Sequence, residues 1–244
     1  MSLSEKSMQI LVAEKLTKTY GDVQALVNVT VSLDPGIWGI IGPNGAGKTT
    51  LLNLVWGLQY PTSGSLTVLG IQPTQDDFNL KKQLGVSFTA QHLPFGYTCY
   101  EYLLLVAEAY GYSPQAIKPL VYRLMNTLEL DSALNRNVTD LSSGMKQKVT
   151  IIQSLLGLPH LAILDEPFAN LDPHIKLYVR NLFVQFYQEL GTNFLISSHS
   201  LDDLASFCTH YLFIDKGQVV WNGLSTAIPK NEMLDFYMKI TGKE

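Results

Sequence analysis

The run Gly42-Pro43-Asn44-Gly45-Ala46-Gly47-Lys48-Thr49 has the residue types and spacing to hold a polyphosphate. Glycines let consecutive backbone N–H groups turn toward one anion, and a helix starting at the loop adds unsatisfied donors and a partial positive charge. In such a loop Lys48 reaches the outer phosphates and the Thr49 hydroxyl ligates Mg2+, while Asn44, Gly45, Ala46, Gly47 and Thr50 wall the anion. A second stretch, Leu161-Ala162-Ile163-Leu164-Asp165-Glu166, is four apolar residues followed by two carboxylates. A buried strand emerging at its C-terminal edge has that form, and open α/β sheets bind ligands at that edge. Asp165 then suits the Mg2+ shell and Glu166 the polarisation of an attacking water. Alone, the stretch equally describes a strand running into a solvated turn. The phosphate loop, 117 residues before Asp165, favours the first description.

These groups need strands and helices to carry them. Ile37 to Ile41 is a nearly continuous apolar run, the pattern of a strand buried on both faces of a parallel sheet. Thr49 to Trp56 reads as a short helix stopped by Gly57. Strands are expected at Ile10 to Lys18, Val27 to Leu33 and Ser65 to Leu69. From Thr98 to Leu130 the pattern turns helical, with candidates at Tyr100 to Tyr110 and Ser113 to Leu128. Strand signals resume at Leu161 to Leu164, Asn193 to Ser197 and Tyr211 to Ile214, separated by helical stretches at Ile175 to Glu189 and Leu201 to Phe207. That alternation implies α/β units with parallel strands. Lys216-Gly217 reads as a hairpin turn, and Met233 to Ile240 as a C-terminal helix.

The chain has 244 residues, 46% apolar and only 16% charged, which excludes disorder and allows one large domain or a core with a subdomain. The longest apolar run, Tyr102 to Ala107, falls far short of the ~20 residues of a membrane span. A net charge of −4 gives no electrostatic footprint for nucleic acid. Two cysteines, Cys99 and Cys208, with no signal peptide, fit reduced thiols in the cytosol. The charge deficit is local. Over Gln83 to Ile117 the only charges are Glu101 and Glu108, beside Phe88, Phe95, Tyr97, Tyr100, Tyr102, Tyr110 and Tyr112. This is the composition of a helical subdomain packing its own core, and equally of an interface core.

Between the two acid-bearing and phosphate-binding stretches lies Leu141-Ser142-Ser143-Gly144-Met145, with Ser142 placed 23 residues before Asp165. It resembles the signature motif of the nucleotide-binding domains of ATP-binding cassette (ABC) transporters. Candidates for that family's other motifs follow its order. Gln91 stands where the glutamine loop belongs, and Ala169-Asn170-Leu171-Asp172 resembles the D-loop. His199, 33 residues after Glu166, matches the switch histidine, and Tyr20 the aromatic that stacks on adenine. Read without the family, Tyr20 also suits a half-buried strand residue, His199 a structural group, and Asp172 a plain helix cap.

The resemblance implies a RecA-like α/β core with an antiparallel β subdomain and an α-helical subdomain. The ATPase domain would cover residues 4–228, with the helical part at about 95–145 and a terminal helix at 229–244. It implies ATP and Mg2+ as ligands, with Gln91 joining Thr49 and Asp165 at the metal, and catalysis by Glu166, His199 and Lys48. Two such domains, in a homodimer or heterodimer, would pair head to tail, Ser142, Ser143 and Gly144 of one meeting the γ-phosphate on the other. A separate permease would dock near Gln83 to Ile117, placing the chain at the cytoplasmic face of the membrane, with no nucleic-acid partner. Ser143 and Met145 depart from the usual Leu-Ser-Gly-Gly-Gln; a Cβ at Ser143 is tolerable at negative φ. The Met-Lys-Gln tail resembles bacterial export-type subunits more than importers. A soluble ABC-type ATPase acting on DNA or ribosomes, and an unrelated phosphate-loop GTPase or kinase, are the other classes.

Overall fold

The computed structural model describes residues 9–87, 93–229 and 232–242. In chain order its elements are β1 (Leu11–Tyr20), β2 (Val23–Leu33), β3 (Ile37–Ile41), α1 (Lys48–Val55), β4 (Ser63–Val68), α2 (Phe78–Lys81), β5 (Leu84–Ser87), α3 (Cys99–Ala109), α4 (Pro114–Thr127) and α5 (Ser143–Leu156). There follow β6 (Leu161–Leu164), α6 (Pro173–Leu190), β7 (Asn193–Ser198), α7 (Leu201–Leu204), β8 (His210–Asp215), β9 (Gln218–Leu224) and α8 (Met233–Thr241). Among the described residues no helix is long and apolar enough to cross a membrane. The chain divides into two compact units, one from residues up to Leu80 together with those from His199 onward, the other Lys81–Ser198.

In the first unit β2, β1 and β4 form an antiparallel sheet in that order. Leu11 and Ala13 are buried, then the alternation slips and Leu16 is buried next. The slip is a β-bulge at Lys15, which takes φ 48°, and a second irregularity after the pairing of Leu16 with Val29 places Asn28 at φ 50°. Strand β2 starts four residues before the expected Val27, because Val23 and Gln24 are exposed and show no apolar periodicity. All five residues of β3 are buried, and β3 lies parallel to β8, with β9 antiparallel on the other side of β8. Lys216-Gly217 makes the two-residue turn between β8 and β9, both residues at positive φ as a tight hairpin requires. Helix α8 covers this corner, Phe236 packing on Trp221 at 5.4 Å and Tyr237 on Phe213 at 5.7 Å. Helix α7 stops at Leu204 instead of continuing to Phe207, since Cys208 and Thr209 already lead into β8, Thr209 N–H donating to Ile37 O at 2.9 Å.

In the second unit β5, β6 and β7 are parallel neighbours, every residue of β5 and β6 buried. Helix α5 packs on β5 and β6, and α3 and α4 pack on each other and on α5. Helix α3 opens with a capping box, Thr98 Oγ1 accepting from Glu101 N–H while Glu101 accepts from Thr98 N–H. Helix α4 opens with Ser113 as cap and Pro114 at its first position. Three elements carry no clear sequence signal, the four-residue α2 among them. Strand β5 is hidden by Gly85, and α5 lies between Leu130 and Leu161, where the sequence suggests no particular helix.

Candidate nucleotide site

Each glycine of the loop between β3 and α1 has a physical reason. A Cβ on Gly42 would lie 2.2 Å from the Ile214 carbonyl oxygen on β8, and one on Gly47 would lie 2.5 Å from Ala25 O. Gly47 caps α1 at φ 106° and Gly45 sits at φ 79°, both outside the range of ordinary side chains. Ala46 is buried and its carbonyl accepts from Gly217 N–H at 3.0 Å, so the β8–β9 hairpin props the loop. Lys48 is 6% exposed, and its Nζ donates to Gly42 O at 2.7 Å and Pro43 O at 3.3 Å. The ammonium thus sits inside its own loop. Asn44, Gly45 and Thr49 are exposed and Thr50 is half-buried.

The same unit carries Tyr20 at the end of β1, 41% exposed, its hydroxyl donating to Gln59 Oε1. His199 is exposed and directly follows β7 in sequence.

The second unit carries the acidic pair. Asp165 and Glu166 follow the last residue of β6, and Asp165 N–H donates to Ser87 O at the end of β5, at 3.0 Å. Asp165 is 7% exposed; Ser197 Oγ on β7 donates to its Oδ1 at 2.5 Å and accepts the Glu166 N–H at 2.9 Å. Glu166 takes φ 49°, a left-handed conformation that turns the chain sharply out of the strand. Ser197 is the site residue that sequence reasoning missed. Its one signal was a small hydroxyl at the C-terminal end of a strand, two residues before His199.

Ser142 is the cap of α5, its Oγ accepting from Met145 N–H at 3.3 Å. Ser142 and Ser143 are exposed and Gly144 is half-buried. Ser143 is the first residue of α5 and is not among the positive-φ residues, so its Cβ is accommodated there. Gly144 is different, because a Cβ would lie 2.7 Å from Asn170 O. Arg136 flanks this helix start, its Nη2 donating to Asp140 O at 3.0 Å. Asp172 stands at the cap position of α6, yet its side chain makes no capping bond, and Pro173 fills the first helical position. Partial burial pushes the Lys148 ammonium below the usual lysine range, and the carboxylates of Glu129 and Asp172 oppose that shift. Gln91, like Phe88, lies outside the described residues.

The structure therefore groups Tyr20, Asn44 to Thr50 and His199 on one unit, and Ser142, Ser143, Gly144, Asp165, Glu166 and Asp172 on the other. It also sorts the aromatic residues of the charge-poor segment. Tyr102 donates to Gln153 Oε1 at 2.5 Å, Tyr110 to Leu84 O at 2.8 Å and Tyr112 to Gly157 O at 3.5 Å. These hydroxyls tie the helical segment to β5 and α5, and burial pushes those of Tyr102 and Tyr110 up to about 12. Phe95, Tyr97 and Leu105 are instead 86%, 38% and 43% exposed.

The family model described as ABC transporter matches residues 26–169. Among curated relatives, the Nod factor export ATP-binding protein I of Cupriavidus metallidurans is 30% identical over 239 residues, covering 96% of this chain and 78% of its own length. Its counterpart in Rhizobium etli is 29% identical over 213 residues, 85% of this chain, and the chain spans 66% of that relative's length. A solved ATP-binding subunit of an ABC transporter superposes with a TM-score of 0.86 at 27% identity, covering 95% of this chain and 99% of that one. The fold class follows: a RecA-like phosphate-loop core with a mixed β-sheet and an α-helical subdomain.

Proposed function

Because the chain belongs to the ABC transporter family, as an ATP-binding domain, we propose that it hydrolyses ATP as one half of a head-to-tail dimer enclosing two nucleotides. The dimer drives a separate membrane permease, in the export direction. The observation that carries the pairing is the start of α5. Ser142 and Ser143 face solvent at a capped helix N-terminus whose next turns are buried, so its donors are presented to a ligand held by another molecule.

The phosphate loop fits a triphosphate. Lys48 already sits within the turn on two main-chain carbonyls, from which it exchanges to phosphate oxygens. Thr49 and Asp165, with Gln91, would hold Mg2+, which would supply positive charge beside the phosphates. Glu166 polarises the attacking water and His199 holds the γ-phosphate. Tyr20 stacks on adenine, and Ser142, Ser143, Gly144 and Asp172 complete the partner's site. Hydrolysis removes the ligand that holds the two chains together.

Export is favoured by the names of the relatives and by the Met145-Lys146-Gln147 run. The permease surface is Phe95, Tyr97 and Leu105, the exposed apolar residues in the described part of the charge-poor segment, and the chain works from the cytoplasmic face. The test uses Glu166→Gln, which retains ATP. Light scattering after gel filtration with ATP and Mg2+ is expected to show a dimer that reverts to monomer when ADP replaces ATP. A chain that stays monomeric with ATP bound overturns the reading.

A further inference from the structure

Where β1 meets the start of β4, the end of β1 is joined to the segment that follows α1 by bonds beyond the sheet pairing of Thr17 with Ser63. Thr62 N–H donates to Thr17 O at 2.8 Å, and Thr19 N–H donates to Thr62 Oγ1 at 3.0 Å. Between them the Lys18 ammonium donates to Tyr60 O at 2.8 Å and lies over the Tyr20 ring, 5.0 Å from its centroid. The Tyr20 hydroxyl is anchored on Gln59 Oε1. Residues 59–62 follow α1 after a three-residue turn, in which Leu58 N–H donates back to Asn53 O at 2.9 Å.

We propose that Lys18 and Gln59 are positioning residues for the nucleotide base: they fix the Tyr20 ring in one orientation and tie it to the far end of the phosphate-loop helix. The proposal rests on the reading of Tyr20 as the base-stacking residue. An exposed tyrosine at a strand end otherwise samples several staggered rotamers, and stacking must then order it. Here the ring is held at its hydroxyl tip and under its face before any base arrives, and such preorganisation strengthens binding. The ammonium adds an electronic effect. A cation on one face draws ring electron density toward itself, which favours an electron-rich base against the remaining surface, 41% of the residue being exposed. The phosphates and the base are thereby gripped by the two ends of α1, Lys48 at its first residue and Tyr20 through the segment after its last.

The test separates base from phosphate. ATP and inorganic tripolyphosphate, each with Mg2+, are titrated by calorimetry into the wild-type chain and into Lys18→Met, Gln59→Leu, Lys18→Arg and Tyr20→Ala variants that melt as wild type does. Lys18→Met and Gln59→Leu are expected to weaken ATP binding about three-fold each and to leave tripolyphosphate unchanged, with Lys18→Arg close to wild type. In the Tyr20→Ala background neither change should weaken ATP further. Equal loss for both ligands, or the same loss with and without Tyr20, overturns the proposal. If Tyr20→Ala weakens ATP while Lys18→Met and Gln59→Leu do not, the positioning role fails and the stacking reading stands. If Tyr20→Ala leaves ATP binding intact, both fail.

Discussion

Ser197 Oγ stands 2.5 Å from Asp165 Oδ1, and the same oxygen takes the Glu166 N–H at 2.9 Å. One hydroxyl on β7 thus fixes the two acidic residues after β6. Ser197→Ala removes the donor from a buried carboxylate and the acceptor from a main-chain N–H, an expected loss of about 1–3 kcal/mol in denaturant unfolding. ATPase activity should fall by roughly ten-fold or more, because the group that orients Asp165, the carboxylate proposed to hold Mg2+, is gone. Unaltered turnover with unaltered stability would show that Ser197 does neither job.

Ser143 and Gly144 are neighbours with opposite tolerances. Gly144→Ala puts a methyl 2.7 Å from Asn170 O, and the expected cost is about 1–3 kcal/mol together with loss of ATP-driven dimerisation. Ser143→Gly relieves no backbone strain, because Ser143 is already helical and exposed. Dimerisation and ATPase rate should therefore stay within about two-fold of wild type, gel filtration and phosphate release being the measurements. A large gain in Ser143→Gly would mean that the serine side chain itself obstructs the partner's phosphate.

His210 stacks on Trp38 with ring centroids 4.4 Å apart, and Thr209 Oγ1 meets its Nδ1 at 2.9 Å. Partial burial lowers its affinity for a proton, and the Asp34 carboxylate only partly opposes that. A histidine whose folded value lies below its unfolded one binds protons more readily when unfolded, so its contribution to stability is present above pH ~6.5 and is lost as pH falls through the folded value. Melting followed by tryptophan fluorescence is expected to drop between neutral pH and pH 5, and less steeply in His210→Gln. Parallel pH profiles for the two proteins would remove His210 from the account.

The parts legible in the sequence are those where one physical demand dominates. Ile37–Ile41 and Leu161–Leu164 are continuous apolar runs because a central parallel strand has no wet face, and the structure gives both strands those bounds. The loop from Gly42 to Thr49 was legible because its glycines answer a steric need that no other residue meets. Strand β5 was not, and the cause is Gly85. A Cβ there would lie 1.8 Å from Ser154 O, so close approach of α5 imposes the residue least suggestive of a strand. Tertiary hydrogen bonds left no trace either. Ser197 is one serine among several, and nothing in the spacing separates Tyr102 and Tyr110, whose hydroxyls turn inward, from Tyr97, which stays exposed.

The two acceptors that hold the Lys48 ammonium, Gly42 O and Pro43 O, are both main-chain atoms. A side-chain substitution at either position leaves a carbonyl oxygen in place, so these two contacts depend on the path of the turn and not on which side chains Gly42 and Pro43 carry. A triphosphate entering the loop therefore competes for Lys48 with the main chain of the turn that presents it.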